Sequence, residues 1–421
     1  MEYAFSRDPA TIMKSKKLTL FILLGMVLGI ATGLIVRSGT SDAAGLKSFV
    51  DNISMLTDIF LRLIKMIIAP LVFTTLVAGI ARMGDAKSVG RVGGKTLMWF
   101  ISASLLSLTL GLIMVNLLKP GVAVNLPLPD LHADSGIKAS AMSVKDFITH
   151  AFPKSVFDAM ANNEILQIVV FSLFFGSACA ALGERAKLLV DLMDVAAHVM
   201  LKVTGYVMMV APVAVFAALA ATVAKDGLAI LGTYGKFLGE FYLSILLLWT
   251  VLIVIGSLFV GPRVLTLVRS IREPILLAFS TASSEAAYPK TLEQLERFGV
   301  SNKIASFVLP VGYSFNLDGS MMYCTFATIF LAQAFNIPLT LTQEITMLLM
   351  FMVTSKGMAG VPRASLVVIA AMLPQFNIPE AGLLLILGID HFLDMGRSAT
   401  NVMGNSIATA VVAKWENELK S

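Results

Sequence analysis

Apolar runs long enough to cross a lipid bilayer recur along the whole chain. They restrict it to folds whose backbone N–H and C=O groups are all satisfied inside the membrane. They fall near 18–37, 50–82, 96–118, 163–183, 190–223, 237–260, 302–334 and 380–413, which predicts eight spans, some long enough to tilt. Hydrophobic residues make up 57% of the 421 and charged ones 14%, against about 25% charged in a soluble domain. The mean hydropathy of +0.83 agrees. The first run, Leu18 to Val36, is flanked by Lys14, Lys16 and Lys17 and is closed by no small-residue cleavage site. It is expected to remain as an uncleaved span and not to act as a signal peptide.

Charge gives the orientation. Arg82, Lys87, Arg91 and Lys95, then Arg185 and Lys187, then Arg263, Arg269 and Arg272 mark the loops on one side, which places both termini in the cytoplasm. Pro120 to Ser155, the longest polar connection, reads as an external loop although it holds Lys138 and Lys145. The net charge of +5 sits beside span ends, where it signals topology and not nucleic-acid binding. Cys179 and Cys324 lie in apolar runs, and His132, His150, His198 and His391 form no ligand motif. Neither a disulfide nor a cofactor is expected.

Two segments are too short to span. Ile345 to Val353 and Leu366 to Leu373 flank a polar stretch from Thr354 to Pro362. At ~1.5 Å per residue each arm reaches about half the bilayer core. A re-entrant helical hairpin follows, with its tip at Ser355-Lys356-Gly357-Met358-Ala359-Gly360-Val361-Pro362. Pro274 to Pro289 repeats the pattern around Ser280-Thr281-Ala282-Ser283-Ser284-Glu285. Paired broken segments point to a midplane site in secondary transporters.

The chemistry is concentrated in the C-terminal half. Glu285, Asp318, Lys356, Arg363, Asp390, Asp394 and Arg397 all lie inside apolar segments. Each costs about 2.5–3.5 kcal/mol at a lipid-exposed helix centre, so they must face one another or water. Asp390, Asp394, Arg397, Asn401 and Asn405 are spaced by 4, 3, 4 and 4, which gathers them within roughly 80° of helix arc. A guanidinium beside carboxylates and amides suits a substrate carrying both a carboxylate and an ammonium, although an Asp–Arg pair that only neutralises itself fits the same spacing. Asn316-Leu317-Asp318-Gly319-Ser320 interrupts another apolar run. It reads either as an unwound turn with free carbonyls or as a glycine kink with a capping asparagine.

These motifs, together with Phe60 to Pro70 (FLRLIKMIIAP), AGVP in the second hairpin and DHFLDMGRSATNVMGN in the last span, resemble those of a known family. It is the dicarboxylate/amino-acid:cation symporter family of bacterial proton/glutamate symporters and excitatory amino-acid transporters. The resemblance covers nearly the whole chain. It implies an all-α polytopic membrane protein with eight transmembrane helices and two re-entrant hairpins, working as an elevator-type homotrimer in the bacterial cytoplasmic (inner) membrane. Residues 1–84 (spans 1 and 2) and 126–224 (external loop, spans 4 and 5) would form a static scaffold. Residues 85–125 (span 3) and 225–421 would form the transport domain, with span 6, hairpin 1 near 263–297, span 7, hairpin 2 near 341–373 and span 8. The second hairpin would be the external gate.

By the same resemblance Arg397 pairs with the substrate's side-chain carboxylate with help from Ser320, and Asp394 with its ammonium. Asn401, Ser284 and tip amides around Ser283 and Gly360 hold the α-carboxylate, and Val361 and Ser398 complete the substrate set. Glu285, Gly312, Asn316, Asp318, Lys356, Asp390 and Asn405 form the coupling set.

The chain departs from sodium-coupled relatives at five positions. Asn405 replaces an aspartate, Phe100 and Ala103 replace a tyrosine and a threonine, Met358 replaces a threonine, and Lys356 adds a positive charge. Each weakens coordination of a hard cation by oxygen, so the sodium sites read as degraded and proton coupling is expected. Glu285 is the first candidate carrier and Asp318 or Asp390 the alternates, since a carboxylate enclosed near the midplane has reason to hold a proton. The bland alternative pairs Glu285 with Lys356 or Arg363. Lys356 either replaces a bound cation or sits at the mouth of the site. The expected substrates are L-glutamate and L-aspartate, with C4-dicarboxylates such as succinate as the runner-up. Asp394 discriminates, because succinate has no ammonium to offer it. A membrane enzyme is disfavoured by the lack of a nucleophile–base pair, and a channel or receptor would differ by its flux.

Overall fold

A computed structural model describes residues 9–40, 42–83, 86–122, 149, 151–227, 234–355 and 364–420. Among them no strand forms, and one isolated bridge pairs Val300 with Leu419. The helices are α1 (Pro9–Gly39), α2 (Ala43–Met83), α3 (Ala86–Leu118), α4 (Val156–Ala161), α5 (Ile165–Leu182), α6 (Lys187–Met208), α7 (Ala211–Asp226), α8 (Gly235–Val260) and α9 (Arg263–Ser270). They continue with α10 (Arg272–Thr281), α11 (Ser284–Phe298), α12 (Asn302–Phe315), α13 (Asp318–Ala334), α14 (Leu341–Thr354), α15 (Ala364–Met372), α16 (Leu383–Leu387) and α17 (Asp390–Trp415).

Among the described residues, 5 helical stretches are long and apolar enough to cross a membrane. Large apolar side chains stand exposed along them, among them Val27, Ile35, Leu117, Leu188 and Leu258. Such a surface belongs in lipid and not in water. The other expected spans differ for local reasons. The run 190–223 is broken between α6 and α7, where Pro212 has no N–H to continue the ladder. The run 302–334 is broken at Asn316 and Leu317, whose ψ angles of 62° and 64° are not helical. The run 380–413 opens with a 3-10 turn at Glu380–Gly382 and the short α16, so that α17 starts only at Asp390.

Helix α1 lies along α7 and α2 packs on α5, α6 and α7, while α3 lies on α13 and α17 is surrounded by α8, α10, α12 and α13. Small residues fix the first contact. A Cβ at Gly25, Gly29 or Gly33 would stand 2.6 Å from the Pro212 carbonyl oxygen, 2.5 Å from that of Phe216 and 2.7 Å from Val223 Cβ respectively. The three glycines, four apart, form the small-residue ridge by which apolar helices approach closely in lipid. One turn further, Arg37 Nη1 donates to the Ala224 and Lys225 carbonyls at the end of α7. Gly29→Leu is therefore expected to cost about 1–3 kcal/mol by overpacking. It should lower the unfolding temperature in detergent by several degrees, and an unchanged transition would show that α1 does not depend on this contact.

The segment after α17 is clasped to the start of α3 and to the turn between α11 and α12. Glu416 pairs with Arg91 at 2.9 Å and Lys95 at 2.7 Å. The Glu418 carbonyl accepts from Ser301 N–H, and Lys420 N–H donates to the Gly299 carbonyl. Burial raises the Glu416 carboxyl, but hydrogen bonds and charge from Arg91 and Lys95 outweigh it and hold the group below its ordinary value.

Candidate substrate site

The polar face of α17 forms as its spacing predicts, but from a different starting point. Asp390 is the first residue of the helix, where a carboxylate faces the positive end of the helix dipole. Arg397 reaches back across two turns. Its Nη2 lies 3.0 Å from Asp390 Oδ1 and 2.9 Å from Asp394 Oδ1, and its Nε donates to Asp394 Oδ1 at 3.2 Å. The Arg397 and Asp390 side chains are 1% and 4% exposed, whereas that of Asp394 is 35% exposed. The guanidinium lies over the Tyr323 ring, 4.2 Å from its centroid, a cation–π contact that keeps it flat. Nη1 has no hydrogen-bond partner among the described residues. A buried guanidinium thus keeps a free donor beside two carboxylates.

The second wall is the break between α12 and α13. No glycine stands at the break itself, so it is an unwound turn and not a glycine kink. Asn316 Nδ2 donates to Asp318 Oδ2 at 2.9 Å and to Asn405 Oδ1 at 3.1 Å. Because a carboxylate only accepts, it fixes which way the Asn316 amide points, and Asn316 in turn fixes that of Asn405. Ser107 of α3 donates to Asp318 Oδ1 at 3.1 Å. Asp318 is fully buried and lies so close to α17 that a Cβ at Gly404 would stand 1.8 Å from its Oδ2. Gly312 meets Asn405 in the same way, with the Phe100 ring beside it.

Asn401 serves the break as well. Its Oδ1 accepts from the Gly319 N–H at 2.9 Å, and its Nδ2 donates to Ser320 Oγ at 3.4 Å. The expectation had placed Asn401 on a substrate carboxylate and Ser320 beside Arg397. Here they bond to each other and close the first turn of α13. Ser398 is buried at 4% exposure next to Arg397.

The first hairpin tip forms between α10 and α11. Ala282 turns the chain with φ of 49°, a conformation most residues avoid. Ser283 is the N-cap of α11: its Oγ accepts from Ala286 N–H at 3.3 Å. Its own N–H donates to the Ala278 carbonyl at 3.1 Å, so the tip amide expected to meet a substrate is already engaged. The N–H groups left at the start of α11 are those of Ser284 and Glu285, in the first turn, where anions bind. Glu285 feels the charge of Lys65 on α2, a neighbour the sequence reading missed. Its expected partners Lys356 and Arg363, with Met358, Gly360 and Val361, lie outside the described residues. Ser355, at the edge of that tip, is buried and its hydroxyl has no partner among the described residues.

Tyr323 and Ser107 were also missed. For Tyr323 a signal existed: it lies three residues after Ser320, on the same helix face. Ser107 carried none, since a serine in an apolar span usually bonds its own helix, as this one also does to Ala103.

The chain matches the Sodium:dicarboxylate symporter family over residues 18–415. It belongs to that family. Among its relatives, the C4-dicarboxylate transport protein of Laribacter hongkongensis is 41% identical over 418 residues, covering 97% of this chain and 92% of that protein. That of a Geobacter species (strain M21) is 44% identical, covering 86% of this chain and 84% of that protein. That of Cupriavidus necator is 44% identical, covering 86% and 85%. The protein is therefore a multi-pass membrane transporter of the symporter class and not an enzyme.

Proposed function

We propose that this protein imports C4-dicarboxylates across the bacterial cytoplasmic membrane in symport with protons. The observation that carries the reading is the unpartnered Nη1 of Arg397, a buried donor suited to a planar carboxylate. The names of the relatives point to C4-dicarboxylates and favour the runner-up over the glutamate and aspartate expectation. Acidic amino acids remain as a second reading for one reason. Asp394 is a third exposed beside the guanidinium and suits an ammonium. Aspartate, itself a C4-dicarboxylate with an amine, satisfies both.

The family's description names sodium, and the chemistry of the donor set argues against it here. The gap between Asp318 Oδ2 and Asn405 Oδ1 is filled by the Asn316 N–H groups, which supply the positive partner a cation would supply. The lining from α3 is Phe100 and Ala103, both buried and without oxygen in their side chains. A proton meets a different need. A dianion arriving at two aspartates and one arginine is repelled unless a carboxyl accepts a proton. Asp390 and Asp394, which pair with the guanidinium, and Glu285 are the candidates to accept it.

Helices α1, α2, α5, α6 and α7 pack largely on one another and α3, α8, α10, α13 and α17 do likewise, with α12 lying on both α2 and α17; this supports a scaffold with a moving transport domain. The trimer and the external gate at hairpin 2 belong to the same reading. Uptake of labelled succinate and aspartate into proteoliposomes is expected to follow an inward proton gradient alone and to ignore a sodium gradient alone. Sodium-driven, pH-insensitive uptake would overturn the coupling, and uptake of neither compound the substrate.

A further inference from the structure

The side chains of α8 converge on one turn of α17 from the side opposite the site. Tyr242, Ile245 and Trp249 are three and four residues apart and share a face of α8. The Tyr242 hydroxyl donates to the Phe392 carbonyl at 2.5 Å, and the tyrosine ring lies against Gly396, where a Cβ would stand 3.2 Å from its Cζ. Residues 392 and 396 are the two partners of one helical backbone bond. The tyrosine oxygen therefore stands at a rung of the ladder.

Trp249 addresses the same turn. Its Nε1–H donates to Thr400 Oγ1 at 2.9 Å, and the threonine hydroxyl donates to the Gly396 carbonyl at 2.8 Å. The Phe392 carbonyl is thus reached from α8 directly and the Gly396 carbonyl through one hydroxyl. Gly396 sits between Asp394 and Arg397 in sequence. Only glycine permits the approach: a Cβ there would stand 2.8 Å from Ile245 Cδ1 and 3.0 Å from Tyr242 Cε1.

We propose that Tyr242 is a positioning residue of the substrate site, holding the Phe392–Gly396 rung so that Asp394 and Arg397 keep their relative orientation. This rests on reading that pair as facing the substrate. A side chain set into the ladder changes the local course of a helix. A binding constellation must be held to about half an ångström, so a small rotation between residues 394 and 397 moves the carboxylate away from the guanidinium. The tyrosine ring itself leans on Phe279 of the first hairpin, with centroids 6.4 Å apart, and that contact does not depend on the hydroxyl.

Tyr242→Phe keeps the ring and removes only the oxygen. The KM for succinate and aspartate is expected to rise by about 2- to 13-fold, the range for losing one hydrogen bond, with Vmax within about twofold. Amide exchange over 390–400, read by mass spectrometry without substrate, is expected to quicken while 402–413 stays protected. Trp249→Phe should give a smaller change of the same kind. A KM within twofold of the parent, a fall in Vmax at constant KM, or unchanged exchange would each overturn the role. If the parent protein takes up neither compound, the functional reading fails, and the exchange measurement alone decides for or against Tyr242.

Discussion

Arg397→Lys is expected to cut the uptake efficiency by more than about a hundredfold in a protein that still folds. The arginine holds Asp390 and Asp394 through Nη2 and Nε while Nη1 stays open. That division needs a planar fork with donors on separate atoms. A lysine offers three donors from one point and cannot hold two aspartates and a substrate carboxylate in different directions. Losing two hydrogen bonds to charged groups, each worth about 1.5–3 kcal/mol, gives the expected factor. Arg397→Ala should do more. It leaves Asp390, 4% exposed, without its cation, and breaking a buried pair costs about 3–5 kcal/mol. Initial-rate uptake and unfolding in detergent, measured on the same preparations, separate the two effects. A lysine variant with the parent's KM would remove the guanidinium from the substrate contact.

Asp394→Asn is expected to reorder the substrates. In the parent the exposed carboxylate attracts the ammonium of aspartate and repels the second charge of succinate. The amide does neither. Losing a hydrogen bond to a charged group costs about 1.5–3 kcal/mol, and the partial exposure of Asp394 puts the loss at the lower end, so the aspartate KM should rise about tenfold. Succinate uptake should be retained or improved, because the cluster then holds one anion against one cation. The ratio of the two KM values reports this without depending on the amount of active protein. A variant that loses succinate as severely as aspartate would assign Asp394 to holding Arg397 and not to selecting the amine.

The polar face of the last helix was legible in the sequence because helical spacing alone puts residues 390, 394, 397, 401 and 405 together. Its partners were not. The assignment of Asn401 to a substrate carboxylate came from resemblance, and no periodicity could show that its amide closes the first turn of α13 at Gly319 and Ser320. Nor could it show that the Ser283 N–H is spent on Ala278, since that depends on how the tip turns at Ala282. The run 190–223 looked like one span because apolar composition ignores Pro212, whose effect is on hydrogen bonding and not on hydropathy.

What the sequence determined by itself is the class of the molecule. A chain this apolar must satisfy its backbone within helices, and the charges that interrupt it must meet inside the protein because lipid cannot solvate them. The tertiary structure decided which groups meet. Asp390 became a helix start because the chain turns before it, and Asn316 came to lie between Asp318 and Asn405 because α12 unwinds against α17. Tyr242 reached the ladder beside Arg397 because Gly396 left room. Those are distances between residues from 2 to 150 positions apart, and packing alone sets them.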